Sequence, residues 1–76
     1  MSEHDYQLIG EIAKNRRDTV RVSRRTFKGY DLLDVRIWYE DAHTGELKPS
    51  PKGISLKLEL LPELVELLVK GADDGH

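Results

Sequence analysis

The chain has 76 residues, 34% of them charged, no cysteine and a formal net charge of −2. One small domain of this size buries only about 60% of its unfolded surface. No disulfide or cysteine-rich zinc site can staple it, so efficient packing or a partner's surface must hold it together.

Tyr6 to Ala13 reads as a first strand, with Gly10 a candidate bulge or close-approach site. Asn15-Arg16-Arg17-Asp18 is polar and turn-like, the expected hairpin tip. Thr19-Val20-Arg21-Val22-Ser23 alternates, which predicts Val20 and Val22 inward and Arg21, Ser23 and then Arg25 outward. Phe27-Lys28-Gly29 is the next turn, and a long strand runs from Tyr30 to Asp41. Ala42-His43-Thr44-Gly45 reads as a turn in which Gly45 supplies positive φ. In Leu47 to Leu56, Pro49 and Pro51 forbid a central strand, so an edge or irregular segment is expected, regular only over Ile54-Ser55-Leu56. Gly29 and Gly53 both read as turn residues.

The last element is a helix over about Leu58 to Lys70, with Pro62 tolerated in its first turn. Leu60, Leu61, Leu64, Val65, Leu67, Leu68 and Val69 cover roughly 200° of its circumference at about 100° per residue, where an ordinary surface helix needs little over 100°. A sheet can cover one flank. A second copy covering the other predicts a homodimer, with Leu60, Leu61, Leu64, Val65, Leu67 and Leu68 at its interface. The reading is thus a single domain over residues 1–76, α+β in class, with four antiparallel strands then one helix. Its ordered core is expected at about residues 6–71 with frayed tails, including Asp73 to His76.

No apolar run approaches the roughly 20 residues of a transmembrane helix. Met1-Ser2-Glu3-His4-Asp5 lacks the basic start and apolar run of a secretion signal. These features predict a soluble, intracellular protein with no membrane association.

Charge is unevenly placed. Residues 14–36 hold eight cations against three acids, a local excess of +5 in a chain of net −2. Seven of the eight (Lys14, Arg16, Arg17, Arg21, Arg24, Arg25 and Lys28) fall within residues 14–28, and the eighth is Arg36. Such a footprint suits a phosphate backbone, although a solvated charged surface is the plainer reading.

Within the long strand, Leu33, Val35 and Ile37 alternate with Asp34, Arg36, Trp38 and Glu40. Arg36 and Trp38 therefore share a face. A cation beside an aromatic on an open sheet suits single-stranded nucleic acid, which needs stacking and phosphate neutralisation. The plainer alternative is a half-buried Trp38, with Arg36 paired to Asp34 or to a cross-strand acid.

Phe27-Lys28-Gly29 followed by Asp31-Leu32-Leu33-Asp34-Val35-Arg36, and Lys48-Pro49 followed by Lys52-Gly53-Ile54-Ser55-Leu56, resemble the positive cofactor 4 family of transcriptional coactivators. The resemblance covers about residues 8–70. It implies a curved four-stranded antiparallel sheet followed by one helix, a homodimer, and single-stranded DNA bound along the sheets, with no cofactor. Carried over residue by residue, Arg25, Arg36, Lys48 and Lys52 contact phosphates, and Phe27 and Tyr39 stack on bases. Trp38 is the alternative stacker, since animal members place Trp at the position of Tyr39. Lys14, Arg16, Arg17, Arg21 and Lys28 are secondary candidates. The lengths of the two flanking turns, and the absence of a Ser-rich N-terminal region, are similar to compact bacterial or phage members. Such members imply a cytoplasmic protein, with nucleoid association and contact with the transcription machinery as open alternatives. Promoter strand, replication intermediate and RNA all remain candidate ligands.

Two other classes compete. An enzyme is disfavoured because His4, His43 and His76 are isolated, no metal-ligand spacing occurs, and no activated nucleophile or phosphate-binding Gly-rich loop is visible. No catalytic or metal residue is assigned. A protein-interaction module would use the apolar helix and basic strand face without nucleic acid.

Overall fold

Three turns fold residues 6–74, which the structure, a computed structural model, describes. They connect β1 (Gln7–Ala13), β2 (Asp18–Phe27), β3 (Tyr30–Glu40) and β4 (Leu47–Lys57) into one antiparallel sheet in chain order. At the first turn Asn15 Oδ1 accepts the backbone N–H groups of Arg17 and Asp18 at 3.0 and 2.9 Å. That local mimic of a backbone turn is what Asn provides. The second is a two-residue loop with Phe27 opposite Tyr30, and Lys28 and Gly29 at φ 51° and 82°. Two positive φ values give the twist that a tight hairpin needs. In the third, Asp41 Oδ1 accepts the N–H groups of His43 and Thr44, and Gly45 takes φ 77° as expected.

Two irregularities shape the strands. Ile9 is an extra residue in β1, because Leu8 faces Ser23 while Gly10 already faces Val22. In β4, Gly53 faces Arg36 and Pro49 faces Trp38, so three β4 residues stand against Ile37 alone. Bulges of this kind bend a strand and increase its twist. Strand β4 is longer than its prolines predict, running over all of Leu47–Lys57. It is an edge strand, and Pro49 and Pro51 fall at its irregularity, where a missing N–H costs little.

Gly53 is not a turn residue. It lies within β4 against Arg36, and a Cβ there would sit 2.5 Å from the Val35 carbonyl oxygen and 2.7 Å from Arg36 Cα.

A 3-10 turn, Leu58–Leu60, leads into helix α1, Leu61–Asp74. The helix begins later and ends later than its sequence pattern suggests, so Asp73 is helical rather than frayed. His4 and His76 lie outside the described residues.

The register separates two faces. Val20, Val22, Leu33, Val35, Ile54 and Leu56 share one, and the start of α1 meets it around Ile9, Leu33 and Leu61. Arg21, Ser23, Asp34, Arg36, Trp38 and Ser55 share the other. Burial runs against the expectation for an alternating strand. Ser23 and Asp34 are fully buried, and Trp38 at 7% exposure is the buried hydrophobic residue among those described. Ile12, Ile54, Val65, Leu67 and Leu68 remain between 48% and 68% exposed. Ser23 is thus not an outward residue. Long polar-face side chains lie down across their neighbours, while the helix covers only one end of the apolar face.

The Gly53 contact yields a test. Gly53→Ala must push β4 away from β3, and overpacking of this kind costs typically about 1–3 kcal/mol. A thermal melt should fall by several degrees. Gly29→Ala places its methyl in open space but at φ 82°, so its loss should come from backbone strain alone.

Candidate nucleic-acid interface

The polar face is organised around one buried carboxylate. Asp34 is fully buried. It accepts from Arg36 Nε at 3.1 and 3.2 Å, from Arg36 Nη2 at 2.8 Å, and from the Ser55 hydroxyl. Arg36 Nη1 donates to the Ser50 carbonyl at 3.0 Å. The pair thereby ties β3 to β4 on both sides of the irregularity. Arg36 is held firmly in its charged form, first by the hydrogen bond to Asp34, against the opposing cost of desolvation, with the negative charge of Asp34 adding to it. A guanidinium has five N–H groups. One remains on each terminal nitrogen of Arg36, so a phosphate contact survives only along that outer edge. This geometry matches the plainer of the two sequence readings, in which Arg36 pairs with Asp34.

Around this pair the aromatic and cationic side chains interleave. Arg21 stacks over the Trp38 ring at 4.8 Å and binds Glu11 at 2.8 Å. Arg25 stacks over Tyr6 at 4.6 Å, and its Nη1 donates to the Tyr6 hydroxyl at 3.0 Å. Tyr6 meets Trp38 edge to face, with centroids 5.2 Å apart. Alternation therefore places Trp38 correctly beside Arg36, but as a buried ring and not an open platform. A groove of about 570 Å³ runs past it, lined among others by Tyr6, Arg21, Trp38, Tyr39 and Lys48.

Tyr39, 40% exposed, opens into the same groove although its strand parity is opposite to that of Trp38. Lys48, beside it, is paired with Asp41 at 3.0 Å. That hydrogen bond raises the Lys48 pKa and lowers that of Asp41. The Lys48 side chain is 44% exposed and that of Asp41 20%, and a pair this near the surface is worth little, so the ammonium can still meet another anion. Lys52 is exposed in the irregular stretch of β4.

At the far end of the face, the β2–β3 hairpin presents a second aromatic cluster. Phe27 and Tyr30 oppose each other at 52% and 57% exposure. Lys28 lies over the Phe27 ring at 5.3 Å, and Lys57 over Tyr30 at 4.6 Å. Eight strand residues, about 27 Å at 3.4 Å each, separate Tyr30 from Trp38. Lys14, Arg16 and Arg17 are exposed at the first hairpin and stand apart from this line.

Sequence reasoning missed Tyr6, Tyr30 and Lys57. Tyr30 was legible, since a two-residue hairpin sets it opposite Phe27. Tyr6 required knowledge of which way the chain approaches β1.

Residues 14–67 match the family described as Transcriptional Coactivator p15 (PC4). Over 58 residues the chain is 45% identical to the RNA polymerase II transcriptional coactivator SUB1 of Saccharomyces cerevisiae. That segment is 76% of this chain but 18% of the yeast protein, so the chain spans about a fifth of that relative's length. The fold is similar to a PC4 homologue from Burkholderia pseudomallei in its tetragonal crystal form, with a TM-score of 0.82 and 28% identity. The likeness covers 88% of this chain and 97% of that one. It is also similar in fold to the bacteriophage T5 homologue of the eukaryotic coactivator PC4, a protein implicated in recombination-dependent DNA replication. There the TM-score is 0.75 at 23% identity, over 93% of this chain and 81% of that one.

The Asp34–Arg36 pair lies inside the matched segment, and its removal has a predictable cost. Asp34→Ala leaves a guanidinium that is 15% exposed without its counter-charge, and breaking a buried pair one-sidedly costs about 3–5 kcal/mol. Arg36→Ala strands the fully buried carboxylate instead. Replacing both, with Asp34→Leu and Arg36→Met, should recover most of the stability measured by urea unfolding.

Proposed function

The chain belongs to the PC4 family, and on that footing we propose that it is a homodimeric, non-enzymatic protein that binds single-stranded DNA along its polar sheet faces. The observation that carries this reading is the line of aromatic and cationic side chains from Phe27 and Tyr30, past Arg25 and Arg36, to Tyr39 and Lys48. Alternating rings and cations along one face supply what a flexible strand needs, ring faces for its bases and charge for its phosphates. The face carries no helix that could enter a duplex groove and read base edges, which favours sequence-tolerant binding. Transcription regulation and DNA replication or repair both fit such a binder, and transcription machinery is a fitting partner. A solvent-exposed cytoplasmic setting suits these roles, and among the described residues no helix is long and apolar enough to cross a membrane.

Homodimerisation rests on the uncovered apolar surface. A compact chain of 8.7 kDa exposes roughly 4,700 Å² by the usual size scaling. This chain exposes 6078 Å². Val65, Leu67, Leu68 and Val69 of α1, and Ile12 and Ile54 of the apolar sheet face, stay between 48% and 68% exposed, an apolar surface of the kind an obligate dimer covers. Leu60, Leu61 and Leu64 complete the proposed interface.

Two measurements test these readings. Labelled single-stranded, duplex and RNA oligonucleotides titrated at two salt concentrations should show the single strand bound more tightly than the duplex. Its log affinity should fall with log salt by about 0.7 for each phosphate neutralised. Equal affinity for duplex and single strand would remove the reading, and salt-independent capture of protein partners alone would favour an interaction module. In sedimentation, the wild type should run as a dimer at micromolar concentration. Leu68→Asp should give an unfolded or aggregated chain, because the interface cannot bury an unpaired charge.

A further inference from the structure

We propose that Tyr6 occupies a nucleotide subsite on the polar face and is displaced from it when a single strand binds. This inference rests on the proposed single-strand binding and adds to it an internal competitor. Tyr6 precedes residues 14–67, so the family match does not assign it a role.

Three contacts give Tyr6 the form of a bound nucleotide. Its ring lies under the Arg25 guanidinium at 4.6 Å, as a base would. The same ring packs against Trp38 with centroids 5.2 Å apart. Its hydroxyl accepts from Arg25 Nη1 at 3.0 Å, where an anionic phosphate oxygen would accept more strongly. A single tyrosine thus engages Arg25, one of the cations assigned to phosphate, and the Trp38 ring.

The surroundings of Tyr6 are poorly satisfied by it. Among the described residues, Ser23 Oγ, Trp38 Nε1 and Arg25 Nε are buried side-chain atoms without a hydrogen-bond partner. Ser23 and Trp38 line the same groove as Tyr6. Most buried polar atoms in folded proteins are paired, so unpaired donors gathered in one groove need an explanation. A tyrosine ring offers them no acceptor, whereas a nucleotide carries acceptors on both base and phosphate. Displacement is also inexpensive in packing terms, because Tyr6 is only half-buried and stands just before β1.

Trp38 is the sole tryptophan, which provides a direct readout. Titrating the wild type with an oligothymidylate should quench or shift Trp38 emission as a base replaces Tyr6 against it. Binding seen by a labelled oligonucleotide with Trp38 emission unchanged would overturn the inference and leave the proposed function standing. Tyr6→Ala should bind the same oligonucleotide about three- to tenfold more tightly, since one internal hydrogen bond and its packing no longer compete. Its salt slope should steepen by about 0.7 if one further phosphate is engaged. Tyr6→Phe, which keeps the ring but not the hydroxyl, should fall between the two. Weaker binding by Tyr6→Ala, in protein shown by circular dichroism to be folded, would make Tyr6 a contact and not a competitor, and would also overturn the inference. If neither wild type nor variant binds any single strand, the proposed function itself fails.

Discussion

Everything in this molecule depends on a sheet that has two faces and only enough of its own chain to cover part of one. Four strands and a helix of 14 residues cannot form two complete layers over a sheet whose outer strands are both irregular. The helix meets the apolar face at its start, around Leu33 and Leu61, and leaves Ile12 and Ile54 in the open. A small domain without disulfides has little stability in reserve. The exposed apolar surface is therefore the constraint on which the proposed homodimer rests. In that dimer a second copy covers it, and the polar faces are the surfaces left to bind a ligand.

The polar face stays ordered without a covering layer because its charges are internally satisfied. Asp34 gathers Arg36 and Ser55, and Arg36 in turn holds the Ser50 carbonyl, so the edge strand is locked across its irregular stretch. Gly53 allows this by letting the β4 backbone approach Arg36 more closely than any side chain would permit. Arg21 and Arg25 then lie flat on Trp38 and Tyr6. Guanidinium groups favour such stacking because they are planar and weakly hydrated. The result is a face that is rigid at its centre and open at its two ends. Phe27 and Tyr30 are exposed at one end, and Tyr39 at the other. In the proposed complex, central rigidity would fix the path of a strand, and the exposed rings at either end would accept whichever base arrives.

The order of the elements was legible in the sequence because turn chemistry and alternation are local properties. Asn15, Gly29 and Gly45 mark the turns where they occur, and Val20, Val22, Leu33, Val35 and Ile37 mark one face. Pro62 is accommodated in the first turn of the helix, as its position suggests. The extent of β4 was not legible, since its prolines are permitted only by its place at the sheet edge, which is a tertiary fact. Burial of Ser23 and Trp38 was hidden for a related reason. Alternation says which residues share a face but not which face is crowded, and here the crowding comes from arginine and tyrosine side chains lying across it. The cations assigned to phosphates by resemblance are divided by the same packing. Lys52 makes no ion pair among the described residues, Lys48 is loosely paired, Arg25 is stacked on Tyr6, and Arg36 is committed to Asp34 on all but its outer edge.

The proposed division of labour gives the apolar face and helix to a second copy and the polar face to a single strand. Isotope-filtered nuclear Overhauser measurements on a mixed labelled and unlabelled sample, with an oligothymidylate bound, test both halves at once. Contacts between copies are expected at Leu64, Val65 and Leu68, and contacts to the nucleotide at Phe27, Tyr30 and Tyr39. Nucleotide contacts on the leucines of the helix, or an absence of any contact between copies, would contradict that division.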